Sequence, residues 1–349
     1  MNESPAAAHP EPVLVLLCRP GFESECAAEL PAGLQAMPEP GGGLVCAGGI
    51  SRLSPTELLA GCPFDRLVFA RDRFAGWPFA LGETRDRIAP LVALARRVGP
   101  VGSLWLQHAD TGEGRALSRL CTQLQARFEG KLREAGLLDP GSQRRLHVLF
   151  RDGANGFLGY SASGDGARWS MGIPRLRLPG APSRSAAKLE EALLALLGDP
   201  PGAVLRDGMS AVDLGAAPGG WSWVLARRGL RVLAIDHGRL SEAALSAGAV
   251  RHLAADAFTW RPPRPVDWMV CDVVDKPARV MDLVQRWFSQ GWCRWSVFNL
   301  KLPMKRRHAE VGRLLARLAA SSPPTGRLSV SARQLYHDRE EITVFVASA

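Results

Sequence analysis

The sequence lacks the features that mark several common protein classes. Its seven cysteines are scattered, and no two form a C-x-x-C pair or another metal-ligand spacing. Its longest apolar runs, such as 13–18, are far too short to cross a bilayer. The first residues show no basic region followed by an apolar core, as a signal peptide would. We therefore expect a soluble cytoplasmic protein with reduced thiols and no metal site.

Three nucleotide- or base-directed fingerprints are also missing. The glycine-rich stretch at 215–220 reads GAAPGG, not G-x-G-x-x-G, which disfavours a nicotinamide oxidoreductase. It also lacks the G-K-[ST] ending of a phosphate loop, and acids lie on both sides of it, at Asp213 and Asp236. These features favour a neutral or positive ligand. The residues at 271–274 read CDVV, not [N/D]-P-P-[F/Y], which excludes methylation of an exocyclic base amine.

Length and charge describe the chain in broader terms. A chain of 349 residues is long for one hydrophobic core and predicts two or three domains. The net charge of +9 is typical of proteins that bind a polyanion, most simply a nucleic acid. Arginine greatly outnumbers lysine, so an arginine-rich proteome explains the same charge equally well.

The region around the glycine-rich stretch predicts an α/β ligand site. A short apolar strand ends at the acid Asp213, the glycine loop follows, and a helix begins at Trp221. The next strand, 231–235, ends beside Asp236, where an acid can bind ribose hydroxyls. From residue 183 onward, strand and helix patterns alternate as in an open parallel sheet. We predict strands at 210–214, 231–235, 249–254, 266–271 and 294–300, and a closing antiparallel hairpin at 327–335 and 341–347.

The chain before residue 183 divides into smaller parts. Residues 1–52 read as a small α/β, ferredoxin-like module. Residues 53–163 follow the element order of a THUMP domain, an RNA-binding module, and include a predicted strand at 66–69. Residues 164–182 are rich in glycine, proline and arginine and predict a linker. The methyltransferase-like part discussed next would then occupy 183–349.

The motif D-L-G-A-A-P-G-G-W at 213–221 resembles the first motif of FtsJ/RrmJ-like 2′-O-ribose RNA methyltransferases. The segments 271–277, 291–294, 298–305 and 336–341 resemble a narrower family, RlmM. That family joins a THUMP domain to this catalytic domain and methylates a cytidine of large-subunit (23S) ribosomal RNA. The resemblance implies a Rossmann-like class I methyltransferase fold, S-adenosylmethionine as cofactor and ribosomal RNA as partner. The oligomeric state stays open.

Four residues in the order K–D–K–E resemble the catalytic tetrad of ribose 2′-O-methyltransferases: Lys188, Asp272, Lys301 and Glu341. The resemblance implies that Lys301 is the general base, because a ribose hydroxyl must lose its proton as it attacks. Lys301 would have to be neutral, hence partly desolvated or close to the cation of Lys188. The two acids would orient the lysines and hold the hydroxyl.

The same resemblance assigns the cofactor site. The backbone of the glycine loop would wrap the amino-acid portion, Asp236 would bind the ribose, and Asp256 the adenine amino group. The predicted cofactor residues are Ser183, Gly215, Ala217, Pro218, Gly219, Gly220, Asp236, Asp256 and Asp272.

Two other functions remain open from the residues alone. Cys271 lies at a strand end, where a thiol nucleophile could serve a 5-methylcytosine methyltransferase, although it should point away from Asp272. A ribosome-assembly factor that binds RNA without catalysis is the second alternative. The basic run 305–308, with Arg313 and Arg317, predicts either a helix face that binds RNA phosphates or a solvated face.

Overall fold

The computed structural model describes residues 10–348, except 85, 198–203, 322 and 325. The chain divides into two compact units, Met1–Ile173 and Pro174–Ala349. Each unit contains a seven-stranded sheet and its own buried core. No helix among the described residues is long and apolar enough to cross a membrane.

The first unit is built on one mixed sheet. Its strands are β1 (Val13–Cys18), β2 (Leu34–Glu39), β3 (Leu44–Gly49), β4 (Ala70–Ala80), β5 (Ser103–His108), β6 (Arg144–Phe150) and β7 (Asn155–Ala162). Its helices are α1 (Glu23–Ala28), α2 (Pro55–Gly61), α3 (Ile88–Ala95), α4 (Gly112–Ala116) and α5 (Ser118–Glu134). The strand order is β2-β3-β1-β4-β7-β6-β5. Because β1 pairs with β4, the sheet joins the two segments that the sequence divides near residue 52.

Strand β4 differs from its prediction. The sequence predicts a strand at 66–69, but the strand begins at Ala70 and continues to Ala80 between β1 and β7. Its charged start reads as surface, yet Asp72 and Arg73 are fully buried. Arg73 pairs with Asp165, and Asp72 accepts a hydrogen bond from a buried glutamine of β5. Partners distant in sequence therefore compensate these charges, so local polarity misleads the prediction.

The predicted linker at 164–182 is packed at both ends, each on its own unit. Asp165 accepts a hydrogen bond from the backbone of Phe64 at 2.8 Å. Gly172 has a φ of +63°, and a Cβ there would lie 2.3 Å from the carbonyl oxygen of Arg71. Leu178 packs against the core of the second unit. At least Gly172 of this segment therefore serves close packing.

The second unit is a mostly parallel sheet with helices on both faces. Its strands are β8 (Ser210–Leu214), β9 (Arg231–Ile235), β10 (Val250–Leu253), β11 (Val266–Cys271), β12 (Cys293–Lys301), β13 (Leu328–Arg333) and β14 (Glu341–Ser348). Its helices are α6 (Ser185–Leu197), α7 (Gly220–Ala226), α8 (Glu242–Leu245), α9 (Pro277–Ser289) and α10 (Arg307–Ala319). The order is β10-β9-β8-β11-β12-β14-β13, and β14 runs antiparallel to both of its neighbours. The predicted Rossmann-like sheet with an antiparallel C-terminal hairpin is confirmed.

This topology brings several loops to one edge. Strands β8, β11 and β12 are parallel neighbours, so the loops after them share the carboxyl edge of the sheet. Strand β14 runs the other way and therefore begins at that edge. Its first residue, Glu341, is the cross-strand partner of Lys301, the last residue of β12. The sheet itself thus creates the place where a site can form.

Candidate active site

The four residues of the predicted tetrad meet at this edge. The buried carboxylate of Glu341 lies at the centre, and its Oε1 contacts Lys188 Nζ while its Oε2 contacts Lys301 Nζ. Lys188 Nζ also lies 3.6 Å from Asp272 Oδ1. The side chain of Glu341 is 2% exposed, whereas that of Lys301 is 34% exposed. Lys301 is therefore the group of this pair that a ligand can reach.

Glu341 and Lys188 hold each other in their ionised forms, whereas burial raises the pKa of Asp272 although Lys188 acts against that rise. Burial acts to raise the pKa of Glu341, but hydrogen bonds from Lys188 and Lys301 outweigh it and lower that pKa. Burial acts to lower the pKa of Lys188, but Asp272 and Glu341 outweigh it and raise that pKa. Lys188 therefore keeps its proton. The carboxylate of Glu341 bridges the two lysines. The sequence prediction, in which the cation of Lys188 acts directly on Lys301, did not include this bridge.

Helix α6 brings Lys188 to the site. Lys188 is the fourth residue of the helix, and the indole nitrogen of Trp221 donates a hydrogen bond to the carbonyl of Ser185 at 3.0 Å. Ala186, Leu189 and Ala192 of α6 are buried in the core that this unit forms on its sheet. The apolar face of α6 therefore fixes the direction in which Lys188 projects.

The glycine loop packs too closely for any other residue type at three positions. A Cβ at Gly215 would lie 2.5 Å from Val273, and one at Gly219 would lie 2.3 Å from Ala244. Both residues have positive φ, +75° and +105°. A Cβ at Gly220 would lie 2.4 Å from the Ser183 hydroxyl, so Ser183 does lie against the loop. The peptide bond before Pro218 is cis.

The residues around this loop fit a positively charged ligand such as S-adenosylmethionine. Asp213 is buried, and its Oδ2 accepts a hydrogen bond from Ser222 at 2.6 Å. Its Oδ1 has no hydrogen-bond partner among the described residues. Burial raises the pKa of Asp213 to about 7. A cationic group beside the loop would stabilise the ionised form of this carboxyl.

Asp236 makes two backbone contacts that the sequence prediction did not include. Its Oδ2 accepts a hydrogen bond from the backbone of Ala217 at 2.9 Å, and its Oδ1 from that of Gly238 at 2.7 Å. The acid predicted to bind ribose thus braces the glycine loop. Asp256 lies in the loop after β10, where Oδ1 accepts from the backbone of Phe258 at 2.8 Å. Within the described ranges, no hydrogen bond joins Asp256 to the other predicted site residues.

Cys271 does not have the properties of a nucleophile. Its side chain is fully buried, and burial raises the pKa of its thiol to about 12. The thiolate is the nucleophilic form, and a buried thiol in apolar surroundings is inert. This geometry opposes the 5-methylcytosine alternative.

The basic face of α10 is largely occupied by ion pairs. Arg307 pairs with Glu340 at 2.9 Å, and Arg313 pairs with Glu310 at 2.7 Å. Arg317 pairs with a carboxylate of α9. These contacts favour the interpretation of a solvated, ion-paired face over that of a dedicated phosphate-binding face.

Sequence reasoning missed four polar residues that support the tetrad: Glu191, Asn299, Asp338 and Thr343. A signal for two of them existed. Asn299 precedes Lys301 by two residues on β12, and Thr343 follows Glu341 by two residues on β14. Because side chains alternate along a strand, each lies on the same face as its neighbour in the predicted tetrad. All four residues are buried.

Comparison with known proteins identifies related families along the chain. Residues 86–162 match the model "Ribosomal RNA large subunit methyltransferase M, N-terminal". Residues 181–292 match "FtsJ-like methyltransferase", and residues 12–37 match "RlmM ferredoxin-like domain". THUMP character of 53–163 remains a prediction.

Full-length relatives extend this result. "Ribosomal RNA large subunit methyltransferase M" of Methylococcus capsulatus is 46% identical over 95% of this chain and 97% of its own length. The protein of the same name from Pseudomonas syringae pv. tomato is 44% identical over 95% of each chain. Among solved structures, TrmN from Thermus thermophilus covers 97% of this chain and 100% of its own, at 18% identity and a TM-score of 0.37. On the strength of the two full-length relatives, the chain belongs to the ribosomal RNA large subunit methyltransferase M family, and it is an S-adenosylmethionine-dependent methyltransferase.

Proposed function

We propose that this protein transfers a methyl group from S-adenosylmethionine to the ribose 2′ oxygen of a cytidine in large-subunit ribosomal RNA. Large-subunit ribosomal RNA methylation follows from the family. The 2′ oxygen is supported by one observation, the contact cluster of Lys188, Asp272, Lys301 and Glu341 at the sheet edge. The choice of cytidine rests on the sequence resemblance, and a cytoplasmic location rests on the scattered cysteines.

The chemistry requires removal of one proton. When bound, S-adenosylmethionine supplies a methyl group on a positively charged sulfur, and that charge favours loss of a proton from the cluster. Lys301 in its neutral form accepts the proton of the 2′ hydroxyl as the oxygen forms its bond to the methyl carbon. The electron pair of the broken carbon–sulfur bond stays on sulfur. Such a displacement depends mainly on positioning.

The other three residues keep the base in place and balanced. Two lysines and two carboxylates sum to zero charge. Lys188 retains its positive charge beside Glu341 and Asp272, so the cluster carries one net negative charge when Lys301 is neutral, which suits the positively charged methyl donor. The glycine loop and Asp213 would hold the cofactor's amino-acid portion, and Asp236 would bind its ribose.

The test is methylation of large-subunit RNA from cells that lack the enzyme, with radiolabelled methyl donor and digestion to nucleosides. We expect label in 2′-O-methylcytidine with the unaltered protein. Lys301→Ala should lower the rate by about 10²- to 10⁴-fold, the usual contribution of a general base. Cys271→Ala is the matched control and should leave the product unchanged.

Two outcomes would contradict the proposal. Label in 5-methylcytidine that disappears with Cys271→Ala would assign the chemistry to the thiol. A folded protein that labels no RNA would favour the assembly-factor alternative.

A further inference from the structure

A chain of buried hydrogen bonds extends from the tetrad into the protein. Asn299 Nδ2 donates to Asp272 Oδ1 at 2.8 Å. The Thr343 hydroxyl lies 2.8 Å from Asn299 Oδ1, and it lies 2.9 Å and 3.1 Å from the two carboxyl oxygens of Asp338. Asn299, Thr343 and Asp338 are all buried. This arrangement is a connected polar path in a part of the molecule where unpaired polar groups are costly.

The path lies directly behind the catalytic pair. Asn299 and Thr343 are cross-strand partners on β12 and β14, as are Lys301 and Glu341. Because the side-chain period of a strand is two residues, the two pairs share one face of the sheet. The supporting pair therefore lies one step further into the sheet than the catalytic pair.

Donor and acceptor counting orients the path. When ionised, the Asp272 carboxylate only accepts, so Asn299 presents its amide nitrogen to Asp272 and its oxygen to Thr343. Thr343 has one hydroxyl hydrogen, and Asn299 receives it. A proton on Asp338 then completes the contact with Thr343. Burial raises the pKa of Asp338 well above its usual range, and the carboxylates of Glu341 and Glu191 raise it further.

The loop that holds Asp338 is also attached to the helix that carries Lys188. Glu191 lies three residues after Lys188 on α6, and its carboxylate accepts the backbone N–H groups of Tyr336 and His337 at 2.7 and 2.9 Å. The same carboxylate contacts the ring nitrogen Nδ1 of His337 at 2.6 Å. Asp272 and Lys188 lie 3.6 Å apart. Hydrogen bonds therefore connect Asp272, through Asn299 and Thr343, and the helix of Lys188, through Glu191, to the same loop.

We propose that Asn299, Thr343 and Asp338 are positioning residues that fix the orientation of Asp272 toward Lys188 and the reacting hydroxyl. This inference rests on the methyl transfer proposed above. Asp272 Oδ1 is committed to Asn299 and Lys188, while Oδ2 accepts no hydrogen bond from any described residue. The path therefore holds Oδ2 free to accept the ribose hydroxyl or a donor of the cofactor.

The test uses Thr343→Val, which keeps the shape of the side chain and removes the hydroxyl. We expect kcat to fall about tenfold to a hundredfold, the scale of a small misplacement in a site, with little change in KM. Thr343→Ser should restore kcat to near the original value. Ser296→Ala is the matched control, because it removes a buried hydroxyl of the neighbouring strand β12 that contacts Met269 instead of the path.

Asp338→Asn gives a second, shape-preserving test. With its oxygen in the place of Oδ2, the amide accepts from the backbone of Leu335, and its nitrogen, in the place of Oδ1, can donate to Thr343, as the protonated acid does. We expect it to keep near-normal kcat and melting temperature, and a large loss of kcat would overturn the orientation of the path.

Cofactor affinity and melting temperature of each variant separate positioning from folding. Unchanged kcat in a stable Thr343→Val protein would overturn the inference, and so would an equal loss in Ser296→Ala. If Thr343→Val lowers the melting temperature, the kcat values of Thr343→Ser and Asp338→Asn test the inference instead. The proposed function fails separately, if the unaltered protein makes no 2′-O-methylated nucleoside.

Discussion

Single residues in this site are stabilised by close partners of opposite charge, with Asp213 as the exception. Lys188 and Lys301 share Glu341, so burial of each charge is offset locally. Asp213 has only the Ser222 hydroxyl on Oδ2, and its Oδ1 is unpartnered among the described residues. Its ionisation should therefore cost stability in the cofactor-free protein.

This carboxyl makes one defined contribution to the pH dependence of stability. Burial raises the pKa of Asp213 to about 7 from an ordinary value of 3.8. Below pH 3.8 the carboxyl is protonated in both the folded and the unfolded chain, and its contribution to the free energy of unfolding is fully present. Between the two values the unfolded chain loses the proton first, so the free energy of unfolding falls as pH rises, by up to about 1.4 kcal/mol per pH unit. This contribution to stability is lost once the pH rises above the pKa of Asp213 in the folded protein, about 7.

Asp213→Asn should reduce this slope, with the remainder coming from other buried carboxyls such as Asp338, and should make the second unit more stable than the unaltered protein at pH 8. Asparagine still accepts the hydrogen bond from Ser222. The measurement is denaturant unfolding from pH 5 to 8 without cofactor, with the exposed Asp207→Asn as control. Parallel pH slopes for the unaltered protein and Asp213→Asn would refute the prediction.

At the scale of elements, the glycine loop requires Gly220 because helices α6 and α7 start close together. Gly220 opens α7, and a Cβ there would lie 2.4 Å from the Ser183 hydroxyl and 3.0 Å from the backbone nitrogen of Ala186. A side chain would therefore have to displace the start of α6, which carries Lys188. Gly312 on α10 is the opposite case, since it is exposed and a Cβ there meets nothing within 4 Å.

Gly220→Ala should lower both stability and cofactor affinity, with a stability cost of about 1–3 kcal/mol from overpacking. Gly312→Ala should instead stabilise the protein by about 0.5–1 kcal/mol, because alanine favours the helix. Thermal melts and equilibrium binding of S-adenosylmethionine check both variants. Equal effects of the two substitutions would show that the close approach at Gly220 is not important.

For the whole molecule, the net charge of +9 determines how binding should respond to salt. A basic protein that contacts RNA phosphates releases counterions, so its RNA affinity falls as salt rises. Ion pairs already engage Arg307, Arg313 and Arg317, so other basic residues must supply phosphate contacts if these pairs persist. The first unit, with its own sheet and core, is the other place to look for them.

We expect RNA affinity to fall about tenfold or more between roughly 50 and 200 mM salt, as three or more phosphate contacts predict. S-adenosylmethionine affinity should change little, because its site depends on short-range contacts. Filter binding with large-subunit RNA and calorimetry with the cofactor measure the two. A flat RNA response to salt would mean that the excess charge reflects composition alone.

The sequence by itself determined the features that depend on local order. The GAAPGG loop, the strand ends and the K–D–K–E order are readable because each reflects a few neighbouring residues. The final hairpin is readable for the same reason, since two strand patterns follow one another without a helix between them. The confirmed class I sheet follows from these local signals.

The tertiary structure alone decided where buried polar groups find partners. The charged start of strand β4 looks like surface in the sequence, because Arg73 meets its partner Asp165 only in the folded chain. The hydrogen bond from Asn299 to Asp272 joins two residues that are 27 positions apart in the sequence. The hydrogen bond from His337 to Glu191 joins two that are 146 positions apart. A hydrogen bond needs its partner within about 3 Å, and only the folded chain brings such distant residues together.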